Sequence, residues 1–313
     1  MEILFSVAIP AYKTQFLYEA ISSVTQQTYR NWELIIVDDF SPHDIWAIVN
    51  KFDDSRIRYY RNNKNCGALN VVNNWNKCLE YANGDYIICM GDDDRLLPCC
   101  LEEYIKLIGQ YPDLGVYHAW TEIIDEKGNF NKLQHPRPLY EGAYCLCWNR
   151  WNGRGLQYIG DFCFNKQKLK DDGGFYNLPM AWASDDITAV RAARYKGIAN
   201  TQVLCFQYRI NTLSISSSGF HNEKIKAANQ EKKWYKNFLD SYIPTNELEI
   251  KYRMMVINSI ERHFKEKVEM EMALDMRGKL WRLFYWFFNK RKFCITSRNI
   301  IVACEMAIKL GKI

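Results

Sequence analysis

The sequence predicts an α/β fold with a mostly parallel central sheet flanked by helices, and three observations predict it. Short β-branched runs alternate with helical patterns four times within the first hundred residues. The run "LIIV" inside the second such segment is apolar on both faces, as strands buried in a parallel sheet are. The chain has 313 residues, 48% hydrophobic and 25% charged, enough for one large domain or a domain with an appendage without a metal or disulfide staple.

Taken in order, "LFSVAIP" is the first strand, and "QFLYEAISSVTQQ" is a helix with Phe16, Leu17, Ala20, Ile21 and Val24 at helical spacing. "WELIIVDD" is the second strand, "HDIWAIVNKF" a short helix and "RIRYYRN" the third strand. "ALNVVNNWNKCLEYA" is a helix stopped at Asn83-Gly84, and "DYIICM" is the fourth strand. Beyond Pro98 come a helix, "LEEYIKLIGQY", a long strand, "LGVYHAWTEII", and a turn, "DEKGN". The stretch 133–161, rich in Trp, Tyr, Gly and Pro, reads as loops and antiparallel strands. A helix follows from about Asp185 to Lys196, then the strand "VLCFQYRI", and after Ser218 the pattern is helical to the end. The boundary therefore falls at 218, with an α/β domain over 1–218 and a helical extension over 219–313.

Composition narrows the function classes. The 11 cysteines are scattered with no paired CxxC at zinc spacing, which implies reduced, mostly buried thiols in a cytoplasmic protein. "MEILFSVAIPAYK" lacks a basic leader and is broken early by Pro10, so it reads as a strand and not a signal peptide. No run of 18 apolar residues occurs. From Arg277 onward nine basic residues face only Glu305, so the tail carries +8 and the rest of the chain −3 of the net +5. An acidic body repels a nucleic-acid backbone, so no nucleic-acid partner is expected.

Carboxylates gather where the strands end. Asp38-Asp39 follows the second strand and Asp92-Asp93-Asp94 the fourth, the edge where open parallel sheets bind ligands. No GxGxxG or GxxxxGK[ST] loop is present. Acidic strand ends suit a ribose, a base, or a hard divalent cation whose open positions take phosphate oxygens; a solvated turn is the alternative for the triple Asp alone. Asp185 and Asp186 open a helix, where they either cap it or supply a general base.

These clusters together resemble family 2 glycosyltransferases of the GT-A fold, over roughly residues 3–216. "SVAIPAYK" resembles that family's opening strand and nucleotide-contacting turn, and "AISSVTQQTYRNWELIIVDDFSPHD" its "SIxSVLxQTYxxxEIIVVDDGSxD" pattern. "NKCLEYANGDYIICMGDDDRLLP" is similar to the stretch holding the DXD metal motif, "ASDDITAVRAAR" to the acidic motif of the catalytic base, and "YRINTLSIS" to "YRxHxxSxS". The resemblance implies an inverting, Mn²⁺- or Mg²⁺-dependent transfer from a nucleotide-diphosphate sugar, UDP-type, to a hydroxyl of a glycan or lipid-linked saccharide in polysaccharide biosynthesis. It implies that Pro10 and Tyr12 line the base pocket, that Asp39 with Asp38 beside it receives the base, and that Asp92 lies near the ribose. Asp93, with Asp94, is the implied metal ligand, and Asp185 the implied base with Asp186 as second candidate. The chain departs from the pattern at Gly91 (usually the first Asp of DXD), Phe40 (usually Gly), Trp75 (usually Arg) and Asn211 (usually His).

Two further features are read from the residues. Trp148, Trp151 and Tyr158 are acceptor-side candidates, because aromatic faces stack on sugar rings; packing of loops on the sheet is the other reading. In the tail, "RGKLWRLFYWFFNKRKF" sets Leu280–Phe288 between cations, as in segments lying on an anionic membrane surface, which makes 277–313 a candidate contact with the inner face of the cell membrane. A terminal helix folded on the domain is its alternative. For the whole chain the competing functions are an inactive nucleotide-sugar-binding or membrane-recruited interaction protein, and a nucleotidyltransferase, for which "PAYKTQ" supplies only Lys13 as a phosphate grip.

Overall fold

The computed structural model describes residues 2–211 and 219–311, so the end of "YRINTLSIS" and Lys312 lie outside the described residues. The chain forms two compact units, one of residues up to Asn177 together with those from Ser184 to the end of the sheet, the other of Leu178–Ala183 and the C-terminal helices. The boundary read at 218 thus leaves out Leu178–Ala183, which groups with the helices.

The first unit begins β1 (Phe5–Ala11), α1 (Leu17–Thr25), β2 (Trp32–Asp38), α2 (Trp46–Val49), β3 (Ile57–Arg61), α3 (Val71–Tyr81) and β4 (Tyr86–Cys89). All seven residues of β2 are buried, the consequence of a strand covered on both faces. Against it α1 buries Leu17, Ala20, Ile21 and Val24, one stripe at i, i+3, i+4, i+7. Then follow β5 (Arg95–Leu96), α4 (Cys100–Gln110), β6 (Val116–Ile124), β7 (Phe130–Leu133), β8 (Tyr140–Glu141), α5 (Ala143–Trp151), β9 (Phe162–Asn165), α6 (Lys166–Asp171), α7 (Ser184–Ala193) and β10 (Ile198–Arg209).

The sheet order is β3-β2-β1-β4-β9-β6-β10-β5, with β7 beside β6 and β8 beside β10. From β3 to β4 every pairing is parallel. Beyond β4 the sheet is mixed, because β9 runs antiparallel to both β4 and β6 while β6 and β10 are parallel. Ala11 lies opposite Asp38, and Ala8 opposite Cys89, so the chain leaves β1, β2 and β4 along one edge.

The elements β5, β9 and α6 have no counterpart in the sequence reading, and two others differ from it. Over 133–161, where loops and antiparallel strands were expected, β7 ends at 133 and β8 is joined by a helix, α5, whose first five residues are all buried; its polar residues Asn149 and Arg150 fall only in the last turn, so it shows no clear helical period. Its Trp, Tyr and Cys content also gives weak helix propensity. Strand β10 starts at Ile198, five residues before the apolar run at Val203, and carries register shifts between Asn200 and Leu204 and between Leu204 and Phe206.

The second unit holds α8 (His221–Ser241), α9 (Glu247–Met276), α10 (Arg282–Asn289) and α11 (Ser297–Leu310). Their core joins Ile225, Val268, Met272, Met276, Trp286, Phe293 and Ile300. Asn246 caps α9 through the N–H groups of Leu248 and Glu249, and Thr296 with Asn299 forms a capping box on α11. Among the described residues no helix is long and apolar enough to cross a membrane.

Candidate active site

The site is built on the edge where β1, β2 and β4 end. Asp92 is buried, and its Oδ2 accepts the backbone N–H groups of Tyr12 (2.8 Å) and Lys13 (2.7 Å), tying the turn after β4 to the turn after β1. The Lys13 ammonium lies 2.7 Å from Asp93 Oδ2 and 3.6 Å from Asp92 Oδ1. Asn211 Nδ2 donates to the same Asp93 oxygen at 2.7 Å, so the residue standing where the resemblance has His still reaches the acidic turn. Buried Arg209 braces that turn from β10. Its backbone N–H donates to Asp94 Oδ1 (2.9 Å), its Nε to the Asp93 carbonyl (2.8 Å), and another guanidinium nitrogen to Glu19 (2.7 Å).

Two of these acids, Asp92 and Asp94, have raised proton affinity. Burial, then the charge of Asp93, lifts Asp92 against the pull of Lys13; burial and Asp93 lift Asp94 well above the carboxylate range. Burial by itself would lower the Lys13 ammonium, but the charges of Asp92, Asp93 and Asp94 outweigh it and raise it. Gly91 explains how the turn closes. A Cβ there would stand 2.7 Å from Asp93 Oδ1 and 2.8 Å from Asp94 Oδ2, so the two oxygens crowd the space that a side chain would fill.

This donor set fits a hard divalent cation. It is oxygen only, and the two oxygens flanking Gly91 take no hydrogen bond among the described residues. Among those residues no three His, Cys, Asp or Glu side chains gather as a complete metal cage. Asp93 and Asp94 would therefore hold the ion as a pair, leaving its other positions for phosphate oxygens and water.

Asp38 and Asp39 occupy different environments. Asp38 is fully buried and saturated: Oδ1 accepts the N–H of Ser41 (2.7 Å), while Oδ2 accepts the Tyr59 hydroxyl and Arg61, each at 2.7 Å. Its place is structural, fixing the turn after β2. Asp39, also buried, accepts Asn62 Nδ2 (2.8 Å) and the N–H of Cys66 on Oδ1 (2.9 Å) and Oδ2 (3.1 Å), which fixes its carboxylate. Burial, then Asp39, pushes the Cys66 thiol up to about 11, so it is inert. Pro10 is half-buried opposite Val37, and the Tyr12 ring is exposed beside it while its carbonyl accepts the Ser41 hydroxyl (2.6 Å). Phe40 has a φ of 52°, the left-handed conformation glycine adopts without strain, so the backbone at this departure keeps the glycine geometry. Trp75, by contrast, is buried edge-on against Phe175.

The second acidic group opens α7. Asp186 is buried and held at Oδ1 by Arg150 Nε (2.8 Å) and Gln157 Nε2 (2.7 Å). Gln157 is itself oriented by the Arg137 guanidinium on its Oε1 at 3.1 Å. Asp185 is only half-buried, and its one contact among the described residues is the Asp186 N–H on Oδ1 at 2.9 Å. Burial and then the charge of Asp186 push Asp185 up to about 8, against the Arg150 guanidinium. A carboxyl that titrates near neutrality and presents a free oxygen is suited to general-base work. The backbone leading into α7 is strained, with φ of 62°, 55° and 67° at Met180, Ala181 and Ala183.

Tyr158 packs on β10 through Tyr208. Its ring stacks on Tyr208 at 3.6 Å, and its hydroxyl, raised by burial, Tyr208 and Asp161, also feels Asp94 and Arg150. Trp148 and Trp151 lie half-buried on the C-terminal half of α5, the helix that carries Arg150. Sequence reasoning missed Arg150, Gln157, Asn62 and Arg209 as parts of the site. Only Arg209 carried a signal, the Arg of the "YR" pair.

Known proteins resemble this chain in sequence and in fold. The model of the family described as "Glycosyl transferase family 2" matches residues 6–174. The chain is 41% identical over 235 residues to the Escherichia coli UDP-Glc:alpha-D-GlcNAc-diphosphoundecaprenol beta-1,3-glucosyltransferase WfaP, covering 72% of this chain and 84% of that one. It is 27% identical over 224 residues to the E. coli enzyme WfgD, which has the same described activity, covering 71% and 83%. Among solved structures, S. aureus TarS 1-349 in complex with UDP-GlcNAc superposes with a TM-score of 0.63 at 13% identity, covering 99% of this chain and 92% of that one, a likeness of fold.

Proposed function

The chain belongs to glycosyl transferase family 2, and from that premise we propose that it moves a sugar from a UDP-type nucleotide sugar to a hydroxyl of a lipid-linked saccharide, with inversion at the anomeric carbon. The observation that supports this reading is a cation-competent turn, Gly91–Asp94, at a strand end of the sheet that the α7 carboxyl Asp185, lifted to about 8 with a free oxygen, accompanies in the same unit. The donor class and acceptor class are supported by the two E. coli relatives, whose names give UDP-glucose and a diphosphoundecaprenol-linked sugar.

In this reading the nucleotide lies along the ends of β1 and β2. Asp39, fixed by Asn62 and Cys66, accepts a hydrogen bond from the base, with Pro10 and Tyr12 beside it. Asp38 supports that turn from below, and Asp92 fixes the Tyr12–Lys13 backbone near the ribose. When bound to Asp93 and Asp94, a Mn²⁺ or Mg²⁺ ion supplies charge to stabilise the departing diphosphate. Lys13 stands ready to turn from Asp93 onto a phosphate oxygen. Asp185 takes the proton of the acceptor hydroxyl as its oxygen bonds to the anomeric carbon and the bond from that carbon to the diphosphate breaks. Asp186, fixed by Arg150 and Gln157, holds Asp185 near neutrality. Trp148, Trp151 and Tyr158 are proposed to flank the acceptor, and an enzyme with a lipid-linked acceptor works peripherally at the membrane face.

The test is calorimetric titration of Asp93→Ala with UDP-glucose, with and without Mn²⁺. Loss of the Mn²⁺-dependent part of donor affinity is expected. Affinity equal to that of the unaltered chain in both titrations would remove the turn from the donor site.

A further inference from the structure

The helix α10 shows two faces of opposite fate. Trp286 is fully buried, and its Nε1 donates to Asp275 Oδ2 at 2.9 Å; Arg282 Nε donates to the same oxygen at 2.8 Å. These two bonds clamp the inner face onto α9. On the other side Trp281, Phe284 and Phe288 stand 65%, 64% and 88% exposed, at the i, i+3, i+7 spacing that makes one stripe. Arg277 and Lys279 precede the stripe, and Lys290, Arg291 and Lys292 follow it. All five are exposed, and none is ion-paired among the described residues. Three large aromatic rings held in water by a clamped helix, with cations at both ends, form an apolar strip with a basic rim.

We propose that this outward face of α10 is a membrane-insertion face: Trp281, Phe284 and Phe288 bed in the interface of an anionic bilayer while Arg277, Lys279 and Lys290–Lys292 sit on its head groups. The eight residues of α10 span about 12 Å, too short to cross a bilayer, so the helix lies flat in the interface. Charge selects the occupant. A second copy docking by the same stripe would bring two sets of five cations together, which disfavours a symmetric dimer. An anionic lipid surface complements the cations and takes the aromatic rings together. The sequence reading treated Leu280–Phe288 as one interfacial segment; the structure narrows it to the outer three rings and assigns Trp286 to the core. The inference stands on this surface alone and does not depend on the sugar-transfer reading.

The experiment uses the full chain in three forms: unaltered, with Trp281→Ser, Phe284→Ser and Phe288→Ser, and with Lys290→Gln, Arg291→Gln and Lys292→Gln. Each is floated with vesicles of phosphatidylcholine alone and of phosphatidylcholine with phosphatidylglycerol, with helix content checked by circular dichroism. Flotation of the unaltered chain with the anionic vesicles is expected, together with a blue shift of Trp fluorescence that the serine variant lacks. Each removed cation should weaken partitioning about fivefold at low salt. Equal flotation of all three chains, or none by the unaltered chain, overturns the proposal. So does a concentration-dependent dimer that the serine variant abolishes, or an oligonucleotide that strips the unaltered chain from the vesicles.

Discussion

At the residue scale the two neighbouring acids of α7 sit in different environments. Asp186 is gripped by Arg150 and Gln157 and cannot turn, whereas Asp185 keeps an oxygen free. Asp185→Asn is therefore expected to lower turnover by about 10²–10⁴-fold with donor affinity unchanged, read by steady-state kinetics and by calorimetry. Full activity in Asp185→Asn and its loss in Asp186→Asn would exchange the roles. A base lifted to about 8 is active when deprotonated, so kcat should rise with pH along a limb near 8 that belongs to the pair. Gln157→Leu removes one bond to Asp186 and should shift that limb while leaving the fold intact. Stability carries the opposite sign. The folded Asp185 value lies above the unfolded value of about 4, so its protonated form is favoured by folding. Its contribution is full below about pH 4 and is lost as pH rises toward 8, so Asp185→Asn should gain in melting temperature over the unaltered chain across that window. The acidic clusters were legible in the sequence because they follow strand ends and open a helix, and the family resemblance supplied the roles proposed for them. Arg150 and Gln157 were not, because a lone Arg and Gln in an aromatic-rich stretch have no pattern until the fold brings them to Asp186.

At the scale of elements, the alternation of β1 to β4 with α1 to α3 was readable because each segment carries its own period and stop signal. The antiparallel insertion of β9 between β4 and β6 was not, since four residues of "FCFN" pair across a long sequence separation that no local pattern records. Turns explain the departures from the family pattern better than their sequences do. Phe40 holds the left-handed geometry at a strain of about 1–2 kcal/mol, so Phe40→Gly should leave donor affinity unchanged. Gly91→Ala should weaken cation binding by about 10–100-fold, because the new methyl occupies the space between Asp93 and Asp94; Mn²⁺ titration followed by electron paramagnetic resonance reads it directly. Gly197, with a φ of 84° and a would-be Cβ 2.6 Å from the Glu141 carbonyl, joins α7 to β10. Gly197→Ala is expected to cost about 1–3 kcal/mol in urea unfolding without touching the site.

At the scale of the whole molecule, charge is divided by task. The tail from Arg277 carries +8 and the rest −3, while the proposed donor site is made of carboxylates with Lys13 beside them. The helical extension was legible as helices, and its aromatic run as amphipathic. Which rings face outward depends on the Asp275 clamp, a contact between two helices that the sequence does not display. The central claim is transfer from a UDP-sugar to a lipid-linked saccharide, and one measurement tests it most directly. The full chain is incubated with UDP-glucose, Mn²⁺ and a diphosphate-lipid-linked N-acetylglucosamine, and the product's anomeric configuration is read by NMR. A lipid-linked disaccharide with a β-glycosidic bond, formed from the α-linked donor, is the expected result. Tight UDP-glucose binding with no transfer to the lipid-linked acceptor, or a product retaining the α configuration, would contradict it.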